Sequence, residues 1–181
     1  MHHSNPKQAL IFTDGACLNN GQPNPKAGWG FVYGPGSAGQ PSVTSGRLER
    51  RGPFGDHSIQ SSNRAELRAV IAALRFRHWV GEGFTSMVIA TDSAYVVDGS
   101  TRWAKTWIEN GWKTSRDAEV KNKDMWEVLL GEVERWEELG MSIQLWKIPR
   151  HWNHTADAVA ALAAGEKEAP DEWADVMGVL V

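Results

Sequence analysis

Cysteine is almost absent from this chain, Cys17 being the only one. No internal disulfide can form, and zinc sites built on several thiolates are excluded. A lone thiol favours a reducing, intracellular setting. A dominant sign of charge is also lacking: 19 Lys and Arg face 22 Asp and Glu, for a net charge of -3. That is not the balance of a protein that coats nucleic acid, so any nucleic-acid site must be a local patch. No apolar run approaches the roughly 20 residues that cross a bilayer as a helix. The opening Met1–Lys7 is too short and polar for a signal peptide. A chain of 181 residues is expected to fold as one domain over residues 9–165, with an extension at 1–8 and a tail at 166–181, and to act as a monomer away from membranes. What the sequence has in excess is tryptophan, ten in all. Several must lie near the surface, where an indole contacts a partner.

The stretch Ala9-Leu10-Ile11-Phe12-Thr13-Asp14-Gly15 is a short apolar run that ends in a carboxylate and a glycine. Such a run suits a strand buried on both faces, with Asp14 where the strand leaves the sheet. Met87-Val88-Ile89-Ala90-Thr91-Asp92-Ser93 repeats the pattern. Ligands bind outside the carboxyl ends of strands in open α/β sheets. Two such strands side by side lie about 4.8 Å apart. Carboxylates about 5 Å apart repel by roughly 3 kcal/mol at an effective dielectric of about 20, so a proton, a basic side chain or a metal ion must offset them.

Between these stretches, residues 28–33 and 43–52 read as two further strands joined by loops, an antiparallel meander that carries Arg47, Arg50 and Arg51. A helix is expected over 64–80, which Asn63 can cap; Glu66 as a capping-box partner is the local reading, and the helical wheel argues against it. Arg64, Arg68 and Arg75 cluster on one side of its wheel, and Glu66 projects nearly opposite, among Val70, Ala73 and Leu74. A carboxylate on an inward face is costly without a partner. The strand–helix–strand order makes a right-handed crossover, which sets the two Thr-Asp strands parallel. A helix-rich excursion over 100–123 carries Trp103, Trp107 and Trp112 with four lysines. Asp124 can cap a helix to about 138, residues 142–148 read as the last strand, and a short helix over 155–164 has Asp157 in its first turn and Gly165 just past its end. The tail holds Trp173, Val176 and Met177 and either folds onto the body or binds a partner.

Four carboxylates, Asp14, Glu66, Asp92 and Asp157, thus point at one crevice. Singly, each fits a turn, a cap or the helix dipole. Together they form an all-oxygen anionic cluster suited to Mg²⁺ or Mn²⁺. Two such ions about 3.5–4 Å apart can activate water and stabilise a leaving oxygen in phosphodiester cleavage.

The ordered blocks Thr13-Asp14-Gly15, Ser61-Ser62-Asn63-Arg64-Ala65-Glu66-Leu67, Thr91-Asp92-Ser93 and Asn153-His154-Thr155-Ala156-Asp157 resemble ribonuclease H, type 1. Gly111-Trp112-Lys113-Thr114-Ser115 and Val120-Lys121-Asn122-Lys123 are similar to that family's substrate-binding protrusion. The resemblance implies a ribonuclease H-like α/β fold. Its mixed five-stranded sheet has three antiparallel strands, then two parallel ones, with helices on both faces. It implies hydrolysis of the RNA strand of RNA–DNA hybrids to 5′-phosphate and 3′-hydroxyl ends, with two Mg²⁺ ions, Mn²⁺ as a substitute, on Asp14, Glu66, Asp92 and Asp157.

A hybrid is read by shape and by RNA 2′-hydroxyls across its minor groove, which suits the small polar groups around Cys17, Asn20, Ser62 and Asn63. By resemblance, Ser61 and Asn122 meet a DNA phosphate, and Trp103, Trp107 and Ser115 form a DNA channel; packing within the excursion is the other reading of the tryptophans. His151 is the expected assisting histidine, on a loop several residues shorter than usual, and His154 is its rival. Ile59 replaces an expected phosphate-binding Arg, and Ile108-Glu109-Asn110 makes the protrusion less basic. Weaker, more salt-sensitive binding is expected. A non-catalytic binding module and a different nuclease or integrase on the same fold are the competing readings.

Overall fold

The computed structural model describes residues 5–35, 39–166 and 168–178. Five strands form one sheet in the order β3-β2-β1-β4-β5. They are β1 (Gln8–Leu18), β2 (Lys26–Pro35), β3 (Pro41–Arg47), β4 (Ser86–Thr91) and β5 (Ser142–Lys147). β1 pairs antiparallel with β2, and β2 with β3, whereas β1–β4 and β4–β5 are parallel. The expected mixed sheet is therefore present, with β1 at its centre.

β1 does not end at Asp14. It runs on, paired with β2 as far as Leu18, while its parallel pairing with β4 stops at Phe12–Ala90. Asp14 lies beyond the end of one neighbour and beside the other. The strand survives there because β2 still satisfies its backbone groups. β3 is shorter than expected and stops at Arg47, leaving Arg50 and Arg51 in the following loop. There the chain turns away to reach α1, and Arg51 bridges to His57.

The longer helices are α1 (Ser62–Arg75), α4 (Lys123–Glu138) and α5 (His154–Gly165), with short α2 (Ala94–Asp98) and α3 (Ala104–Glu109) between β4 and α4. Glycines let α1 and α5 approach opposite faces of the sheet. A Cβ on Gly15 would lie 2.1 Å from the backbone nitrogen of Glu66. A Cβ on Gly28 would lie 2.3 Å from that of Ala164. α5 fits this close approach through buried Ala156, Ala160, Ala163 and Ala164. On the α1 side, Leu67, Val70, Ile71 and Leu74 pack with Ile11, Phe31, Met87 and Ile89, and α4 adds Met125, Trp126, Leu129 and Trp136.

Four local expectations are corrected. Ser61, not Asn63, caps α1, its hydroxyl accepting from the Arg64 N–H at 3.3 Å. α1 ends at Arg75 rather than near 80, because the chain turns at Phe76 to bury Phe76 and Trp79. Asp124 sits inside the first turn of α4, and its carboxylate takes both terminal nitrogens of Arg64 instead of capping. The arginine side of α1 is not a solvated face: Arg64 and Arg68 are both buried. Arg68, 1% exposed, donates to both oxygens of Glu49 and to the Ala174 carbonyl.

The tail folds onto this face. The Trp173 ring covers the Arg68 guanidinium at 4.0 Å, and Trp173 and Val176 join the edge of the core. Carbonyls of Pro170 and Asp171 accept from the Arg50 and Arg51 N–H groups, and Asp175 pairs with Arg75 at 2.7 Å. Removing one partner of a buried ion pair strands the other charge at a cost of about 3–5 kcal/mol. Glu49→Ala is expected to lose stability of that order. Trp173→Ala should lose about 1–3 kcal/mol from lost cation–π contact and packing. Urea unfolding of the two variants checks both figures.

Candidate active site

The carboxylate crevice forms where β4 ends and β1 continues. Asp14 pairs with Gly30 across β1–β2, so its side chain points to the face that α5 covers. Asp157 occupies the first turn of that helix. Asp92 follows Thr91, the last residue of β4. Glu66 arrives from the opposite face, because Gly15 lets the first turn of α1 press against the β1 backbone. A side chain at position 15 would push that turn away.

Asp14 is within electrostatic reach of the other three, and Glu66 of Asp14 and Asp92. Burial, then the charges of Asp92 and Asp157, push the Asp14 carboxyl from its ordinary 3.8 up to about 7, with Arg150 and the Gly15 N–H acting in the other direction. Glu66 is raised well above its ordinary value by burial first, then by Asp14 and Asp92. Its Oε2 is out of contact with solvent and has no hydrogen-bond partner among the described residues. An unpartnered buried carboxylate oxygen is costly, and it is one that a cation can satisfy.

Two residues of the β5–α5 connection hold this cluster, and neither stood out as a site residue in the sequence. Asn153, 1% exposed, donates from Nδ2 to Asp92 Oδ1 at 2.8 Å and to the Thr13 carbonyl at 2.9 Å. One side-chain amide thereby ties the middle of β1 and the end of β4 to the start of α5. An Asn just before a helix looks like an N-cap, yet its side chain makes no capping bond. Arg150 pairs with Asp157 through Nη2 and lowers the carboxyl pKa values of Asp14 and Glu66. Both belong to a single turn of 3₁₀ helix, Arg150–Trp152, and the residue after it. Among the described residues, no three His, Cys, Asp or Glu side chains stand ready to ligate one ion. Two of the four carboxylates already have protein partners: Arg150 engages Asp157, and Asn153 engages one oxygen of Asp92.

The remaining candidates are spread around the crevice. His151 lies in the exposed turn, edge-on to Trp152 at 6.0 Å, and makes no hydrogen bond to the four carboxylates among the described residues. His154 is exposed at the start of α5. Cys17 is half-buried near Ala27, Leu48 and Ala65, where burial raises its thiol pKa. Asn20 accepts from the Ser62 N–H at 3.3 Å, which joins the β1–β2 turn to the N-terminus of α1. Asn63 is exposed beside them. Asn122, in the left-handed region at φ 57°, donates to the Tyr95 hydroxyl at 3.3 Å. With Lys121, Lys123 and exposed Ile59 it lines a cleft of about 390 Å³.

The aromatic excursion is continuous. Tyr95, Trp103, Trp107 and Trp126 follow one another at ring distances of 6.3, 5.8 and 5.4 Å. Trp126 is fully buried, Trp107 half-buried, and Trp103 is 39% exposed. Trp107 thus packs inward, and Trp103 presents the open edge. Trp112 is half-buried with Lys123 over its ring, and Ser115 is exposed in the next turn.

A mixed five-stranded sheet, with carboxylates gathered from two parallel strands and two helix starts, defines a ribonuclease H-type domain. The chain belongs to the ribonuclease H family, whose model matches residues 6–166. It is 41% identical over 124 residues to a ribonuclease H of Treponema pallidum, covering 66% of this chain and 69% of that one. It is 34% identical over 163 residues to human ribonuclease H1, covering 88% of this chain and about half, 51%, of that protein. Its backbone matches the crystal structure of LC9-RNase H1, described as a type 1 enzyme with the type 2 active-site motif. The TM-score is 0.61 at 27% identity, over 91% of this chain and 75% of that one. No helix among the described residues is long and apolar enough to cross a membrane.

The raised carboxyls fix a pH dependence. A group whose folded pKa exceeds its unfolded value stabilises the fold below the unfolded pKa and loses that contribution as pH rises through the folded one. Without divalent metal, stability should therefore fall between about pH 4 and pH 7 on account of Asp14. Thermal melts across that range in chelator should show the decline, and Asp14→Asn should flatten it and raise stability at pH 7.

Proposed function

We propose that this chain hydrolyses the RNA strand of RNA–DNA hybrids by a two-metal-ion mechanism, leaving 5′-phosphate and 3′-hydroxyl ends. The observation that carries the proposal is the buried, unpartnered Glu66 Oε2 beside Asp14 and Asp92. Four carboxylates against the single Arg150 leave an excess of negative charge. That charge suits hard divalent cations, so the residues fit Mg²⁺ or Mn²⁺. Asp14, Glu66, Asp92 and Asp157 would hold them. Bound there, such ions lower the pKa of a water and stabilise the departing 3′-oxygen.

The chain's own residues do the rest. Asp14 and Glu66 are held where protonation competes with cation binding, so they must give up protons before ligating. Asn153 fixes one oxygen of Asp92 and thereby the direction of the other, the kind of outer-shell contact whose loss costs about 10–100-fold in affinity or activity. Asn20, Ser62 and Asn63, with the Cys17 backbone nearby, offer small donors and acceptors to minor-groove hydroxyls. Ser61, Asn122 and the cleft beside Lys121 and Lys123 suit a DNA phosphate, and Trp103, Trp107 and Ser115 suit the deoxyribose side. Exposed His151, next to Arg150 in the chain, suits an assisting role in proton transfer or product release.

Ile59 and the acidic Glu109 leave fewer cations for phosphates. Binding is then weak and fails at modest salt, although each missing contact makes the logarithmic salt slope shallower rather than steeper. The pairing of Arg150 with Asp157 is the one observation that favours a non-catalytic binding module, since it partly neutralises the cluster.

Incubating labelled RNA–DNA hybrid, duplex RNA and duplex DNA with Mg²⁺ decides between these readings. Cleavage of the hybrid alone is expected, with Asp92→Asn reducing the rate by about 10³-fold and Asn153→Ala by about 10–100-fold. Binding without cutting by the unaltered chain would favour the module, and equal cutting of duplex DNA a different nuclease.

A further inference from the structure

We propose that Arg150 is a built-in counter-ion, which neutralises Asp157 in the metal-free protein and is exchanged for a divalent cation when one binds. The inference rests on the metal-holding reading of the four carboxylates. Its own support is the geometry of the β5–α5 connection. Nη2 of Arg150 pairs with Asp157 Oδ1 across seven residues. Arg150 opens one compact turn, closed by Trp152 N–H to the Pro149 carbonyl at 2.9 Å and Asn153 N–H to the Arg150 carbonyl at 2.9 Å, and Asp157 follows in the first turn of α5, its N–H donating to the Asn153 carbonyl at 3.0 Å. The same turn delivers Asn153 to Asp92, so it reaches two of the four carboxylates.

The pair is asymmetric in a way that suits exchange. The Arg150 side chain is 76% exposed, while that of Asp157 is 37% exposed. An exposed guanidinium regains water when it leaves, so the contact is weak and reversible. Its side chain can swing outward without moving the turn, which its own backbone bonds hold. Arg150 also stabilises the charged forms of Asp14 and Glu66, which lie deeper. A cation arriving at the cluster replaces one positive charge by another. The exchange of Arg150 for the cation at Asp157 itself moves no proton; any proton released comes from Asp14 and Glu66. Lys147, exposed at the end of β5, carries the same charge close by along the chain but pairs with no carboxylate among the described residues.

Two readouts on the whole chain test this: calorimetric titration with Mg²⁺, and thermal melts in chelator. Arg150→Ala should bind Mg²⁺ about three- to fivefold more tightly, because the cation no longer displaces a resident charge. Without metal, it should melt about 1–3 °C lower, because the carboxylates lose their neutralising partner. Arg150→Lys, which keeps the charge without the guanidinium fork, should fall between. Lys147→Ala should alter the affinity much less, and with Asp157→Asn as background Arg150→Ala should bring no gain. Equal Mg²⁺ affinity in the unaltered chain and Arg150→Ala would overturn the counter-ion while leaving the metal site standing. So would an equal gain from Lys147→Ala, or a gain that persists without Asp157. Failure of both the unaltered chain and Arg150→Ala to bind Mg²⁺ would overturn the counter-ion together with the reading beneath it.

Discussion

Mutual repulsion among carboxylates that have been taken out of water is the constraint around which this structure is arranged. Asp14 is almost completely buried, and Glu66 has an oxygen with no partner among the described residues. Each lies within reach of further negative charge. Left to themselves, such groups would turn outward or hold protons. They stay because the backbone elements that carry them are fixed by contacts elsewhere. β1 is clamped by β2 on one side and β4 on the other, and the first turn of α1 rests directly on Gly15. The energy stored at the crevice is therefore borne by the sheet and the main core, not by the crevice.

Unequal strand lengths create the opening. Had β4 run as far as β1, its backbone would have filled the space beside Asp14. Its end at Thr91 leaves a gap on one side of β1, while β2 continues to pair with the other. Asp14 stands in that gap, within electrostatic reach of Glu66 from one face of the sheet and of Asp157 from the other. Here the antiparallel neighbour β2 covers β1 at Asp14, and the parallel neighbour β4 has ended its pairing before it. The mixed sheet is thus a condition of the site rather than a background to it.

Much of this was legible in the sequence because it is local. The apolar runs before Asp14 and Asp92 mark their strands, the capping segment marks the start of α1, and a first-turn Asp marks α5. Helical periodicity also put Glu66 on the inner face. The same periodicity grouped Arg64 and Arg68 on the side opposite Glu66 but could not show that this side is buried as well. Their partners, Asp124 and Glu49, lie 60 and 19 residues away, and nothing within one helix announces them. The tail was open for the same reason: Trp173 has a binding site only once Arg68 is known to be buried. Asn153 and Arg150 were hidden differently. Each has an ordinary local explanation, a cap and a surface charge, and only the fold shows that both side chains turn back to the carboxylates.

The buried arginines also show how the two ends of the domain are related. On α1, Arg68 is locked by Glu49, Trp173 and the Ala174 carbonyl, and Arg64 by Asp124, so these cations cannot move to any new partner. Arg150 faces a carboxylate as well, but it does so from solvent. A buried pair resists disruption because either partner alone would be stranded without water. An exposed pair has no such penalty and responds to whatever competes for it. The structure therefore uses the same chemical group in two regimes. Fixed arginines hold α1, and with it Glu66, to α4, to the segment after β3 and to the tail, while Arg150, which reaches the carboxylates, is not held there by burial.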